Sequence, residues 1–86
     1  MARIQKLIAR LLSYPRDFTW DELVKILNHF GYQELKVGKT GGSRRKFADS
    51  EKRIISMHKP HPTKILKRYQ LEDIVNVLQE RGYFDE

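Results

Sequence analysis

The apolar positions of the chain change period from block to block, and the period names the element. In residues 3 to about 13, Ile4, Leu7, Ile8, Leu11 and Leu12 recur at the three- and four-residue spacing that lines one side of a helix. Ser13-Tyr14-Pro15 closes that block, because proline disfavours helical torsions in the residue before it. A second helix opens with a complete set of start signals: Thr19 and Glu22 stand at capping-box positions, and Phe18 and Leu23 at the positions of a hydrophobic staple. Trp20, Leu23, Val24, Leu27 and Phe30 line its core face, and Gly31 follows where a left-handed residue ends a helix.

From Tyr32 the period shortens to two. "YQELKV" places Leu35 and Val37 on one face of a strand. "SRRKFA" predicts a second strand, with Ser43, Arg45 and Phe47 on one side and Arg44, Lys46 and Ala48 on the other. "DSEK" is a polar turn, and "RIISMH" is a third strand, apolar enough for a central place or for cover on both faces, that ends in His58. Two prolines break "KPHPT", after which Leu71, Ile74, Val75 and Leu78 restore helical spacing as far as Gly82. The order helix, helix, three strands, helix predicts an α+β fold, a small three-stranded antiparallel sheet packed on helices with its other face in water.

Composition narrows the class of function. Eighty-six residues, 40% of them hydrophobic, suffice for one small core, so residues 1–86 are expected to form a single domain. With no cysteine, disulfides, thiolate zinc sites and cysteine nucleophiles are excluded, and a reducing cytoplasm suits the chain. No apolar run approaches the ~20 residues that cross a bilayer, so no membrane role is expected. The net charge is +6, and it is polarised. Lys36 to Arg68 holds eleven Lys or Arg against Asp49 and Glu51, a net +9, and the remainder is therefore −3. A basic middle on an acidic-leaning scaffold points to a polyanion, because clustered cations release counterions from a phosphate backbone.

"GKTGGSRRKF", residues 38–47, lacks the spacing of a Walker A loop and the strand–helix context of a dinucleotide fingerprint. Gly41 and Gly42 leave room for close approach to an RNA backbone, Ser43 offers a hydroxyl to phosphate, and the arginines offer forked donors. A hairpin with cations on its solvated side explains the same residues without a ligand. In "HKPHP", His58 and His61 are two imidazoles without further ligands, too few for zinc, and no metal or other cofactor is expected. Acid–base chemistry is the alternative to an idle, solvated pair: beside Arg45, Lys46 or Lys59, a histidine titrating near neutrality moves protons while cations stabilise a phosphorane. His29 carries no expected role.

With these markers in order, the sequence resembles the HicA family, the toxin half of bacterial toxin–antitoxin pairs. The resemblance runs from about Thr19 to Gly82 through "ELVKILNHFGY", "GGSRRKF", "RIISMHKPHP" and "LKRYQLEDIVNVLQERG", and leaves residues 1–15 as an additional N-terminal helix. It implies a double-stranded-RNA-binding-like fold, metal-independent cleavage of mRNA, and a HicB antitoxin that covers the active surface. The family's catalytic histidine follows the Gly-Ser pair, and Arg44 occupies that position here. Arginine stays protonated and does not serve as a base near neutral pH.

Three explanations of Arg44 stay open: a branch in which His58 transfers the proton, an RNA binder without catalysis, or an alteration that disarms a toxic protein. The leading expectation is an endoribonuclease with His58 as acid or base, and with Arg44, Arg45 and Lys46 holding phosphate or stabilising developing charge. Gly42, Ser43, Arg45, Lys46, Lys59, His61 and Lys64 would hold the RNA. The alternatives are a binding module that grips the backbone with the same residues, and an interaction domain whose basic face docks an acidic partner.

Overall fold

The computed structural model describes residues 4–35, 44–60 and 63–84. Its element order is α1 (Ile4–Leu12), α2 (Trp20–His29), β1 (Gln33–Glu34), β2 (Arg44–Ala48), β3 (Ile54–His58) and α3 (Arg68–Glu80). The architecture is the expected α+β one, three helices against an open, antiparallel sheet of order β1-β2-β3.

Helix α1 buries Leu11 completely and packs Ile4, Leu7 and Ile8 against the core, while Leu12 is left 45% exposed at the margin of the stripe. The helix before the family-like span is thus part of the core. Thr19 caps α2 as its spacing predicts: Glu22 N–H donates to Thr19 Oγ1 at 3.2 Å, and Thr19 N–H donates to Glu22 Oε1 at 2.9 Å. Phe18 and Leu23 are both fully buried beside that box. Arg10 reaches across from α1, placing Nε 3.1 Å from Glu22 Oε2 and Nη2 3.2 Å from Glu22 Oε1, and so ties the additional helix to the cap. Burial alone would raise the Glu22 carboxyl, but the Thr19 N–H and the Arg10 guanidinium outweigh it and hold its pKa below the ordinary value. Gly31 takes φ +94° after α2, and Gly82 takes +86° after α3, a region that costs a residue without a side chain little.

The register pairs Arg44 with His58, Arg45 with Met57, Lys46 with Ser56, Phe47 with Ile55 and Ala48 with Ile54. Phe47, Ile55 and Met57 face the helices, and Phe47 lies 5.8 Å from Trp20 between ring centroids. β1 and Leu35, whose N–H donates to Lys46 O at 2.8 Å, pair on the other side of β2. The third strand therefore differs from expectation. β3 is an edge, not central, and its alternation of exposed and buried residues leaves one face uncovered, with Ile54 44% exposed. β2 takes the centre because it pairs with both of its neighbours in sequence, and an apolar count alone does not reveal that.

The edge is guarded. The outward-pointing carbonyls at both ends of β3 accept from side chains of α3 and its C-cap: Gln70 Nε2 donates to His58 O at 2.9 Å, and Arg81 Nη2 donates to Ile54 O at 3.1 Å. Such plugs oppose pairing with a foreign strand, the usual hazard of an exposed edge.

Candidate functional site

The β2–β3 pairing sets the site. Leu35 bonds to Lys46, and the carbonyls of Ile54 and His58 turn outward to α3, so the pairs Arg44–His58 and Lys46–Ser56 are the non-hydrogen-bonded ones of the ladder. Side chains in such pairs stand closest, with Cα atoms ~4.5 Å apart. Arg44, Lys46, Ser56 and His58 consequently share the open face of the sheet, and Arg44 Nη1 donates to Ser56 Oγ at 3.1 Å across one diagonal. Ser56 is a polar interruption of an apolar strand, and this hydrogen bond gives it a purpose.

Arg44, Ser56 and His58 line a cleft of about 140 Å³ that is closed by Tyr69, Gln70 and Asp73 of α3. Gln70 is the only buried polar residue among those described, 6% exposed, and it works in two directions. Its Nε2 holds the His58 carbonyl, and its Oε1 accepts from Lys67 N–H at 3.0 Å at the start of α3. The end of β3, the first turn of α3 and the imidazole-bearing residue are therefore one unit. Tyr69 is 58% exposed beside the cleft, an aromatic surface available for stacking.

The other residues singled out in the sequence are dispersed. Lys46 lies on the same face as Arg44, two pairs further along the ladder. Arg45 lies on the opposite face, beside Phe47, with Nε 3.6 Å from Glu34 Oε2; it points away from the cleft, as strict alternation requires. Lys59 is half-buried just past β3, and neither it nor Lys64 lines the cleft. The Lys64 backbone instead accepts the Trp20 N–H at 2.7 Å, fastening the 63–66 segment to the start of α2. Gly42, Ser43 and His61 lie outside the described residues, as do Gly41 and Val37. Gln70 and Asp73 escaped the sequence reading because both sit in an amphipathic helix pattern as ordinary polar positions. The one available signal was Gln70 directly before Leu71, on the buried side of the stripe.

A second network lies at the far end of the sheet. Arg81 Nη1 donates to Tyr32 Oη at 2.7 Å, Arg53 Nη2 donates to Tyr83 Oη at 3.1 Å, and the two phenol oxygens are 3.5 Å apart. The hydrogen bond with Tyr32, together with burial, raises the Tyr83 pKa above the ordinary phenol value. Tyr32 is fully buried and Phe30 stacks on Tyr83 at 4.5 Å, so this network fastens residues 81–83, after α3, to the core.

Among the described residues, no helix is long and apolar enough to cross a membrane. Neither the curated proteins nor the solved structures give a significant match to the chain. A family model for the HicA toxin of bacterial toxin–antitoxin systems matches residues 20–82, from the first residue of α2 to the glycine that ends α3. That match takes in α2, all three strands and both sides of the Arg44–His58 cleft, and the protein belongs to the HicA toxin family.

Proposed function

We propose that the protein is the toxin of a toxin–antitoxin pair that cleaves mRNA without a metal, at the cleft between β2, β3 and α3. The observation that carries this reading is His58 directly opposite Arg44. The family resemblance puts its histidine at position 44. Here the imidazole is displaced by one strand, ~4.7–4.9 Å across the sheet, and stays on the same open face.

The chemistry that follows is transfer within one RNA strand. His58 takes the proton of a 2′-hydroxyl as its oxygen bonds to the adjacent phosphorus. The bond from phosphorus to the 5′-oxygen breaks, and the proton passes to that leaving oxygen, giving a 2′,3′-cyclic phosphate and a 5′-hydroxyl. Arg44 supplies fixed positive charge to the phosphorane, the role a guanidinium fork suits and a general base does not. Its bond to Ser56 keeps it across the cleft. Lys46 extends the positive face. Exposed Leu35 and Ile54 lie on that face too, and their apolar surface beside cations supports a HicB-like antitoxin as the cover.

Purified protein incubated with a single-stranded RNA in EDTA tests the proposal. Cleavage that His58→Ala abolishes supports it, whereas cleavage equal in His58→Ala removes His58 from the mechanism. Arg44 favours one second reading, because a cation at the family's histidine position grips phosphate without turning it over. In that case RNA binds with a salt slope near −0.7 per phosphate contact and stays intact.

A further inference from the structure

A second groove, of about 620 Å³, lies between the turn that follows α1 and the segment that leads into α3. One wall is Tyr14 to Arg16, outside the span matched by the family model, and the other is Ile65, Lys67 and Arg68. We infer that this groove is a second RNA subsite, which takes the single-stranded segment flanking the strand held at the Arg44–His58 cleft. The inference rests on the proposal that this cleft binds RNA.

Charge is the first argument. Every charged residue lining the groove is a cation: Arg16, Lys67 and Arg68, all of them exposed. Arg16 and Lys67 form no ion pair among the described residues, so they keep their full charge for a ligand. Arg68 is set in place, with Nε 3.0 Å from Glu72 Oε2 and its guanidinium carbon 4.7 Å from the centre of the Tyr14 ring.

Backbone conformation is the second argument. Tyr14 has φ +53°, a left-handed torsion that strains a bulky residue. A glycine or asparagine would turn the chain there at less cost. What the tyrosine adds is a half-buried ring that backs the Arg68 guanidinium, and with the 40% exposed Ile65 that guanidinium offers a base a flat seat between cations. Stacking on an arginine plane tolerates any sequence.

Continuity is the third. Lys67 and Arg68 line the groove, and Tyr69 and Gln70 line the cleft, so the two flank a single turn of α3. A helix with its side chains is ~10–12 Å across, and a nucleic-acid strand advances at least ~3.4 Å per nucleotide. About two to four nucleotides therefore bridge the two sites, with exposed Tyr69 between them. An acidic peptide matches the charge but not this join to the cleft.

Fluorescence anisotropy with a 6-nucleotide and a 16-nucleotide single-stranded RNA, at several salt concentrations, tests the inference with wild type and the double variant Arg16→Gln/Lys67→Gln. Both side chains are exposed, and an unchanged unfolding temperature verifies the fold. The expected result is a roughly tenfold preference of the wild type for the longer RNA, lost in the variant. The salt slope for the longer RNA should fall by ~1.4, two contacts' worth. A preference kept in the variant overturns the inference, as does equal binding of both lengths by the wild type. So does an oligo-glutamate peptide whose binding, unlike that of the longer RNA, the variant abolishes. If His58→Ala leaves cleavage unaltered while the length preference still depends on Arg16 and Lys67, the nuclease mechanism falls and the groove stands. If neither RNA binds at low salt, both fall.

Discussion

Replacing Gln70 separates its two roles. Gln70→Leu keeps the volume near the core but deletes the bonds to His58 O and from Lys67 N–H. Each net bond is worth ~0.5–1.5 kcal/mol, so the loss is about 1 to 3 kcal/mol, with the carbonyl of an exposed strand end and the first turn of α3 partly rescued by water. For a chain of this size, 1 kcal/mol lowers Tm by ~4–8 °C, and a drop of at least that size is expected by circular dichroism. Gln70→Glu is the sharper probe. Its carboxylate still accepts from Lys67 N–H but turns an acceptor, not a donor, toward the His58 carbonyl. The bond to β3 returns only on protonation, so folding raises this glutamate's pKa. The stability so gained is fully present below the ordinary glutamate pKa and is lost as pH rises through the folded value. At neutral pH, Gln70→Glu should cut RNA cleavage through kcat more than KM, because the imidazole-bearing strand end is loosened while the cations remain. A Gln70→Leu protein as stable as wild type, with unaltered cleavage, would refute the clamp.

Other outcomes follow from the same structure. Glu22 has a depressed pKa, so its cap contributes stability above the ordinary carboxylate pKa that disappears as pH falls through the folded value; Tm should fall in acid more steeply in wild type than in Glu22→Gln. Thr19→Ala should cost ~0.5–2 kcal/mol in urea unfolding, and an effect within error would deny the capping box its weight. Tyr83 has a raised pKa, so its contribution persists below the ordinary phenol pKa and is lost as pH climbs through the folded value; Tyr83→Phe should flatten the alkaline limb of Tm. Phe47→Ala, at a fully buried position against Trp20, should cost ~3–5 kcal/mol and leave little folded protein at 37 °C by circular dichroism.

The helices were legible in the sequence because their signals are local. Thr19, Glu22, Phe18 and Leu23 act within five residues of one another, and the structure pairs them as their spacing demands. The faces of β2 were legible for the same reason, since alternation alone puts Arg44 and Lys46 opposite Phe47. Strand order was not, because "RIISMH" contains no record of whether a fourth strand lies beyond it. The cleft was half legible. His58 and Arg44 were visible as chemistry, but their pairing depends on a register set by the "DSEK" turn, where Asp49 Oδ1 accepts from the N–H groups of Glu51 and Arg53. Gln70 and Asp73 came from a helix twelve or more residues away, beyond any local pattern.

That register decides what Arg44 means. In antiparallel pairing a slip of one residue would send His58 to the core face, and Arg44 would stand alone on the open one. Lys52 at φ +64° and the double acceptance by Asp49 fix the turn length, so the slip is opposed where the hairpin closes. Gln70 opposes it at the other end. Arg44→His is then a discriminating substitution. It puts an imidazole where the family resemblance implies one and, with His58 opposite, places two titratable rings ~4.5–5.5 Å apart at Cβ, close enough for one to act as base and the other as acid. Cleavage in EDTA should rise and show a bell-shaped pH profile absent from the wild type. No gain in Arg44→His, in a protein whose RNA affinity is retained, would mean that position 44 serves grip alone and that proton transfer, if the wild type cleaves, belongs to His58.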